Sequence, residues 1–149
     1  MKKIIFLSLI FSLIIGSCTQ HEVKSPIEGP WQVVSWQRIT GDTLQWKLGT
    51  EYVGNEIKSW SKSHFLFVGR YESKKDSTFI NNYGGGTYKL DGIHYDESYI
   101  YFVDQKMVGT SQRLLLEIKN DTLIQTWPVD ENWQINKSNY NVQKLVRVE

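Results

Sequence analysis

Cysteine is almost missing from this 149-residue chain: Cys18 is the only one, so no intrachain disulfide can staple the fold. Histidine and proline each occur three times. His21 lies in a polar N-terminal stretch. His64 and His94, without further thiols nearby in sequence, give no zinc-type ligand spacing. No basic run is present, and 17 Lys and Arg against 16 Asp and Glu leave a formal charge of +1. That balance offers no electrostatic footprint for nucleic acid. A Gly-x-Ser-x-Gly nucleophile elbow is absent, which removes the usual hydrolase signature. Gly84-Gly85-Gly86 is not followed by Gly-Lys-Ser/Thr and does not open a helix, so it is not a phosphate-binding loop. Convincing amphipathic helices and internal repeats are also missing. These absences lead us to expect no cofactor, no metal and no nucleic-acid partner.

Two lysines, Lys2 and Lys3, precede an apolar run over residues 4–15 that contains only two serines. That run is too short for a comfortable transmembrane helix and has the length of a signal-peptide apolar region. Ile15-Gly16-Ser17-Cys18 follows. It resembles a bacterial lipobox, which implies cleavage before Cys18, diacylglycerol on its sulfur and further acylation with a chain such as palmitate. The plainer alternative is an ordinary signal peptide with a chance cysteine. Lipidation would also remove a lone thiol from an oxidising compartment. We therefore expect a lipoprotein signal peptide at 1–17, a flexible tether at 18–28 containing Pro26, and one domain at 29–149. Loss of the leader leaves one net negative charge. The expected location is the bacterial cell envelope, with the chain anchored by lipid to a membrane, the outer membrane first, and the side of that membrane left open.

Aromatic residues make up 13% of the chain. Together with β-branched residues and frequent turn signals, they point to an all-β domain. Residues 31–39 alternate as a first strand, stopped by Gly41-Asp42. Residues 43–54, with Leu44, Trp46, Leu48 and Tyr52, read as irregular: a short helix, or a lid or plug over one end. Strands are expected at 56–60, 64–71 and 78–81, then on both sides of Asp91-Gly92. A loop at 104–112 leads to strands at 113–119, 122–127 and 140–148. Pro128 stops the second of these, and a polar loop with Trp133 precedes the last. Nine strands with short connections suit an up-and-down antiparallel β-barrel of about eight to ten strands.

Gly29 and Trp31 at the start of the first strand, with Arg147 at the end of the last, resemble the lipocalin superfamily. The resemblance implies that the Arg147 side chain packs over Trp31 at the closed end of the barrel. A closer likeness covers Ser63-His64-Phe65, Gly84-Gly85-Gly86-Thr87-Tyr88, Asp91-Gly92 and Tyr95-x-Glu97. It is similar to the lipocalin-like domain family of small bacterial envelope lipoproteins, which has no assigned general activity.

Residues 83–101 read as one hairpin with Asp91-Gly92 as its two-residue turn. That register pairs Leu90 with Ile93, Tyr88 with Tyr95, Gly86 with Glu97 and Gly84 with Tyr99. It puts Leu90, Ile93, Tyr88, Tyr95, Glu97, Tyr99 and Tyr101 on one face, and the apolar members turn that face inward. Asp96 and Glu97 then point to opposite sides and are not a paired carboxylate site. A buried, ionised Glu97 needs partners. Hydrogen bonds from Tyr88, Tyr95 or Tyr99 in a partly hydrated pocket are favoured over an ion pair with Arg70 or Arg113, or a surface position with the register misread. Tyr88, Tyr95, Glu97 and Tyr99 are thus the candidate ligand-binding residues. The triple glycine reads as room for close backbone approach or a bulge.

Three functions remain open. The first is a membrane-anchored lipoprotein whose barrel binds a small apolar or amphipathic ligand. The second is a non-enzymatic interaction or assembly lipoprotein with a filled barrel. The third, ranked last, is an enzyme using the barrel as a reaction chamber, for which no catalytic residue can be named.

Overall fold

A computed structural model describes residues 24–148. The leader, Cys18 and most of the expected tether therefore lie outside the described residues. Nine strands follow in order: β1 (Gly29–Thr40), β2 (Thr43–Lys47), β3 (Tyr52–Trp60), β4 (His64–Ser73), β5 (Phe79–Asp91), β6 (His94–Phe102), β7 (Ser111–Lys119), β8 (Thr122–Trp127) and β9 (Tyr140–Arg147). Every pairing between them is antiparallel. β1 pairs with β9 along most of its length and with β3 through Gly29 to Gln32, so eight strands close into a barrel. β2 is the ninth and stands outside the closure, paired only with the far half of β1. Residues 43–47 are thus a strand rather than the expected irregular segment or helix. Eight strands enclose an interior just wide enough to be filled by side chains or to hold one small ligand.

One end of the barrel is sealed. The Arg147 guanidinium lies 4.3 Å above the Trp31 ring, and its Nη atoms donate to the carbonyls of Glu28 and Pro26. The Trp31 indole N–H donates to the Ile27 carbonyl at 2.8 Å. These bonds fold residues 25–28 across the end, and the fully buried Ile27 joins the core there. Ordered packing therefore starts ahead of Gly29. The stacking of Arg147 on Trp31 that the resemblance implies is present.

Two bulges decide which side chains point inward. In β1 the register shifts between Val33 and Ser35, so Trp31 and Val33 face in and Trp36, not Ser35, follows them. In the hairpin of β5 and β6 a shift at Gly85 and Gly86 sets Gly86 opposite Tyr99 and Gly85 opposite Tyr101. The turn also differs from expectation. Asp91 pairs with His94, so Gly92 and Ile93 are its central residues, and Tyr88 faces Glu97 where Gly86 was expected. Each partner has moved by two positions, and an even shift leaves the faces unchanged. Glu97 therefore still points inward. Ile93 sits exposed in the turn, and Tyr101, thrown outward by the bulge, is 72% exposed. The triple glycine does make room for close approach: a Cβ at Gly84 would lie 2.7 Å from the Phe67 ring and one at Gly85 2.7 Å from the Phe65 carbonyl oxygen.

The interior is layered by polarity. Toward the sealed end, Trp31, Val33, Trp60, Phe65, Tyr95, Leu114, Leu123 and Leu145 are buried together. Two residues further along, several strands carry a polar side chain on the same face. Trp60 gives way to Lys58 and Glu56, Tyr95 to Glu97, Leu114 to Gln112, Leu123 to Gln125, and Leu145 to Gln143. Period-two geometry makes each of these the next inward-pointing position. The register brings them to one level, with Glu97 opposite Gln112 and Gln125 opposite Gln143.

Candidate functional site

This polar layer surrounds a cavity of about 120 Å³ lined by Glu56, Lys58, Glu97, Tyr99, Gln112 and Gln143, with Trp36, Phe67, Phe102 and Trp127 among its apolar walls. Next to it, at the unsealed end, lies a space of about 230 Å³ lined by Trp36, Leu48, Tyr52, Tyr71, Ile80 and Asn82. Trp36 and Asn82 belong to both linings. An apolar, largely aromatic mouth thus adjoins a polar interior, the usual composition of a small-molecule site.

Two carboxylates are buried in this interior, Glu56 at 1% exposure and Glu97 at 5%. Glu56 Oε2 accepts from the Tyr71 hydroxyl at 3.0 Å and from Asn82 Nδ2 at 2.6 Å. Among the described residues its Oε1 has longer contacts, to Gln143 Nε2 at 3.5 Å and Lys58 Nζ at 3.9 Å. Glu97 Oε1 accepts a short hydrogen bond from the Tyr99 hydroxyl, and the Tyr95 hydroxyl stands close to the same carboxylate. Tyr95 is itself held by the Trp60 indole N–H at 2.9 Å.

Burial pushes the Glu97 carboxyl above its ordinary range. The positive charge of Lys58 and the hydroxyls of Tyr99 and Tyr95 work against that shift, while Glu56 adds to it. Burial, followed by the neighbouring carboxylate, likewise raises Tyr71 beside Glu56 and Tyr95 and Tyr99 beside Glu97. These hydroxyls therefore remain protonated donors at neutral pH. Lys58 Nζ donates to Gln125 Oε1 at 2.9 Å and lies 5.5 Å from the Phe67 ring centre and 5.8 Å from that of Trp127.

Of the four candidates named from sequence, Glu97 and Tyr99 line the cavity. Tyr95 stands directly behind Glu97 and is wholly buried. Tyr88 is turned toward the sealed end, where its hydroxyl donates to the Ser61 carbonyl at 2.7 Å and its ring stacks on Tyr95. The cations considered for Glu97 are elsewhere. Arg70 is exposed and lies over the Phe79 ring at 3.9 Å, and Arg113 pairs with Asp96 on the outer wall at 3.1 Å. Lys58 takes the interior position instead. Glu56, Lys58, Gln125 and Gln143 escaped the sequence reading. The parity of Trp60 held the signal, since an inward Trp60 carries Lys58 and Glu56 inward with it.

Among the described residues, no group of three or more His, Cys, Asp or Glu side chains comes together as a metal-ligand set. His64 is exposed beside Ser63. His94 stacks on Trp133 on the outer surface, with ring centres 4.3 Å apart. No protein-family model matches the chain, and no match is found among curated proteins.

Proposed function

We propose that the chain is a lipid-anchored lipoprotein of the bacterial cell envelope whose lipocalin-like barrel binds a small, partly apolar ligand. The observation that carries the ligand reading is the aromatic mouth of Trp36, Tyr52 and Tyr71 beside a polar cavity. A barrel serving only as a scaffold gains nothing from two desolvated carboxylates, which cost stability unless something uses them. The anchoring reading draws on the lipobox at residues 15–18, and the family reading on Gly29, Trp31 and the stacked Arg147. The alternative, an interaction lipoprotein, draws on the outward-facing Leu66, Val68, Tyr83 and Tyr101 of neighbouring strands β4, β5 and β6.

Native mass spectrometry of the chain purified from its own host separates the readings. A retained small molecule is expected for ligand binding. A co-purifying protein on an otherwise empty barrel would favour the alternative and count against the ligand reading. The same spectra report the anchor: acyl mass is expected on Cys18 and should be lost in Cys18→Ala. Normal acylation of that variant would rule the anchor out.

A further inference from the structure

We propose that the polar cavity receives the ammonium group of a small amine, seated between Glu56 and Glu97, with the amine's apolar remainder against Trp36, Tyr52 and Tyr71. This deepens the ligand-binding reading and rests on it.

Charge is the first argument. Two carboxylates share the cavity wall with Lys58, the single cation lining it among the described residues. Lys58 balances at most one of them. With both ionised, an anionic ligand would meet an excess of negative charge, whereas a cation relieves it. Acceptor capacity is the second. Gln143 turns its Nε2 toward Glu56, which leaves its Oε1 a buried acceptor with no partner among the described residues, on a side chain 1% exposed that lines the cavity. Among those residues Glu56 Oε1 has only its two long contacts. An ammonium group brings three donors and one positive charge, and can meet Glu56, Glu97 and Gln143 together. A hydroxyl brings one donor and no charge. The other unpartnered atom, Gln125 Nε2, is a donor, but Gln125 is not part of the cavity wall. The indoles of Trp36 and Trp127 in the same wall add faces that attract a cation.

Binding is coupled to a proton. Glu97 faces Lys58 and Glu56 from β3, Tyr95 and Tyr99 on its own strand, the cross-strand Tyr88 of β5 and the uncharged Gln112 of β7. Where Glu97 carries a proton in the free protein, an arriving ammonium group makes the carboxylate the better form. The proton then leaves for solvent, and the amine keeps its own charge.

The test uses phenethylamine, phenethyl alcohol and hydrocinnamate as cationic, neutral and anionic probes, titrated into the full chain by calorimetry. The amine is expected to bind more tightly than the alcohol by about tenfold or more, the ordinary gain of a charge-assisted hydrogen bond. At a pH low enough for Glu97 to hold a proton in the free protein, the heat of amine binding should change with the buffer's ionisation enthalpy, reporting the released proton. Glu97→Gln and Glu56→Gln should each lower the affinity for the amine more than that for the alcohol, and so reduce the preference for the amine. Alcohol or carboxylate binding as tight as the amine would overturn the amine proposal and keep the ligand reading. If none of the three probes binds and the host-purified chain retains no small molecule, the ligand reading itself fails; if no probe binds and the retained molecule carries no amine, the amine proposal alone is overturned.

Discussion

Lys58→Met is expected to lower folding stability by about 3–5 kcal/mol, the usual cost of removing one partner from a buried ion pair. The Lys58 side chain is 12% exposed and that of Glu56 is wholly buried. Methionine fills much of the space beside Phe67 and Trp127, so loss of charge rather than of volume dominates. Two carboxylates are then left in the cavity with no cation in its wall, and Gln125 Oε1 loses its donor. Urea unfolding should show a lower midpoint with an unchanged slope. Adding Glu56→Gln to Lys58→Met should restore a large part of the loss, because it removes the uncompensated charge. Equal stability of wild type and Lys58→Met would mean that Lys58 does not offset the buried carboxylates.

Gly86→Ala is expected to cost about 3 kcal/mol, at the upper end for inserting one methyl group into a packed interior. A Cβ there would lie 1.8 Å from the Ser98 carbonyl oxygen and 3.0 Å from the Ile100 amide nitrogen. Both are backbone atoms of β6, so no rotamer change relieves the clash. The strands must separate at the bulge that sets the parity of Tyr99 and Tyr101. Gly92→Asn is the control. Gly92 has a φ of +59° in the turn and nothing within 4 Å of its would-be Cβ. Asparagine tolerates that conformation, so the change should cost less than about 1 kcal/mol. Both are read from urea midpoints, and equal effects would remove the case for a steric role of Gly86.

Much of the barrel was legible because its signals are local. Alternation, Asp91-Gly92 and Pro128 mark strands and their ends; the separate strand expected at 78–81 is instead the start of β5, and β2 brings the count to nine. Glu97 was placed inside because its neighbours Tyr95 and Tyr99 share its parity, which survives the even shift of the hairpin. The facing of β3 was not read, and its local pattern points the wrong way. Its apolar residues Val53 and Ile57 alternate with Glu56 and Lys58, and the ordinary rule buries the apolar set. In a barrel with a polar cavity that rule inverts, and Ile57 is exposed while Glu56 is buried. Only the long-range neighbours that reach Glu56, Tyr71, Asn82 and Gln143, reveal the inversion. Trp36 was hidden by a bulge that no turn residue announces. Residues 43–47 pair with only half of β1, so their strand depends on tertiary context.

The carboxyl titration of Glu97, followed by carbon NMR in protein labelled at glutamate carboxyl groups, tests most directly whether a desolvated acid faces the cavity. A midpoint above the ordinary glutamate value of about 4.3 is expected, because burial disfavours the charged form more than Lys58, Tyr95 and Tyr99 favour it. The linked stability has a definite sign. A raised pKa means that the folded state holds a proton where the unfolded chain has lost it. The contribution of Glu97 to stability is therefore full below the ordinary value and falls as pH rises toward the raised one. Glu97→Gln should abolish that fall, and bound phenethylamine should move the midpoint of the wild type downward. A Glu97 midpoint at or below the ordinary value in the free protein, unmoved by the amine, would contradict both the buried acid and the site built around it.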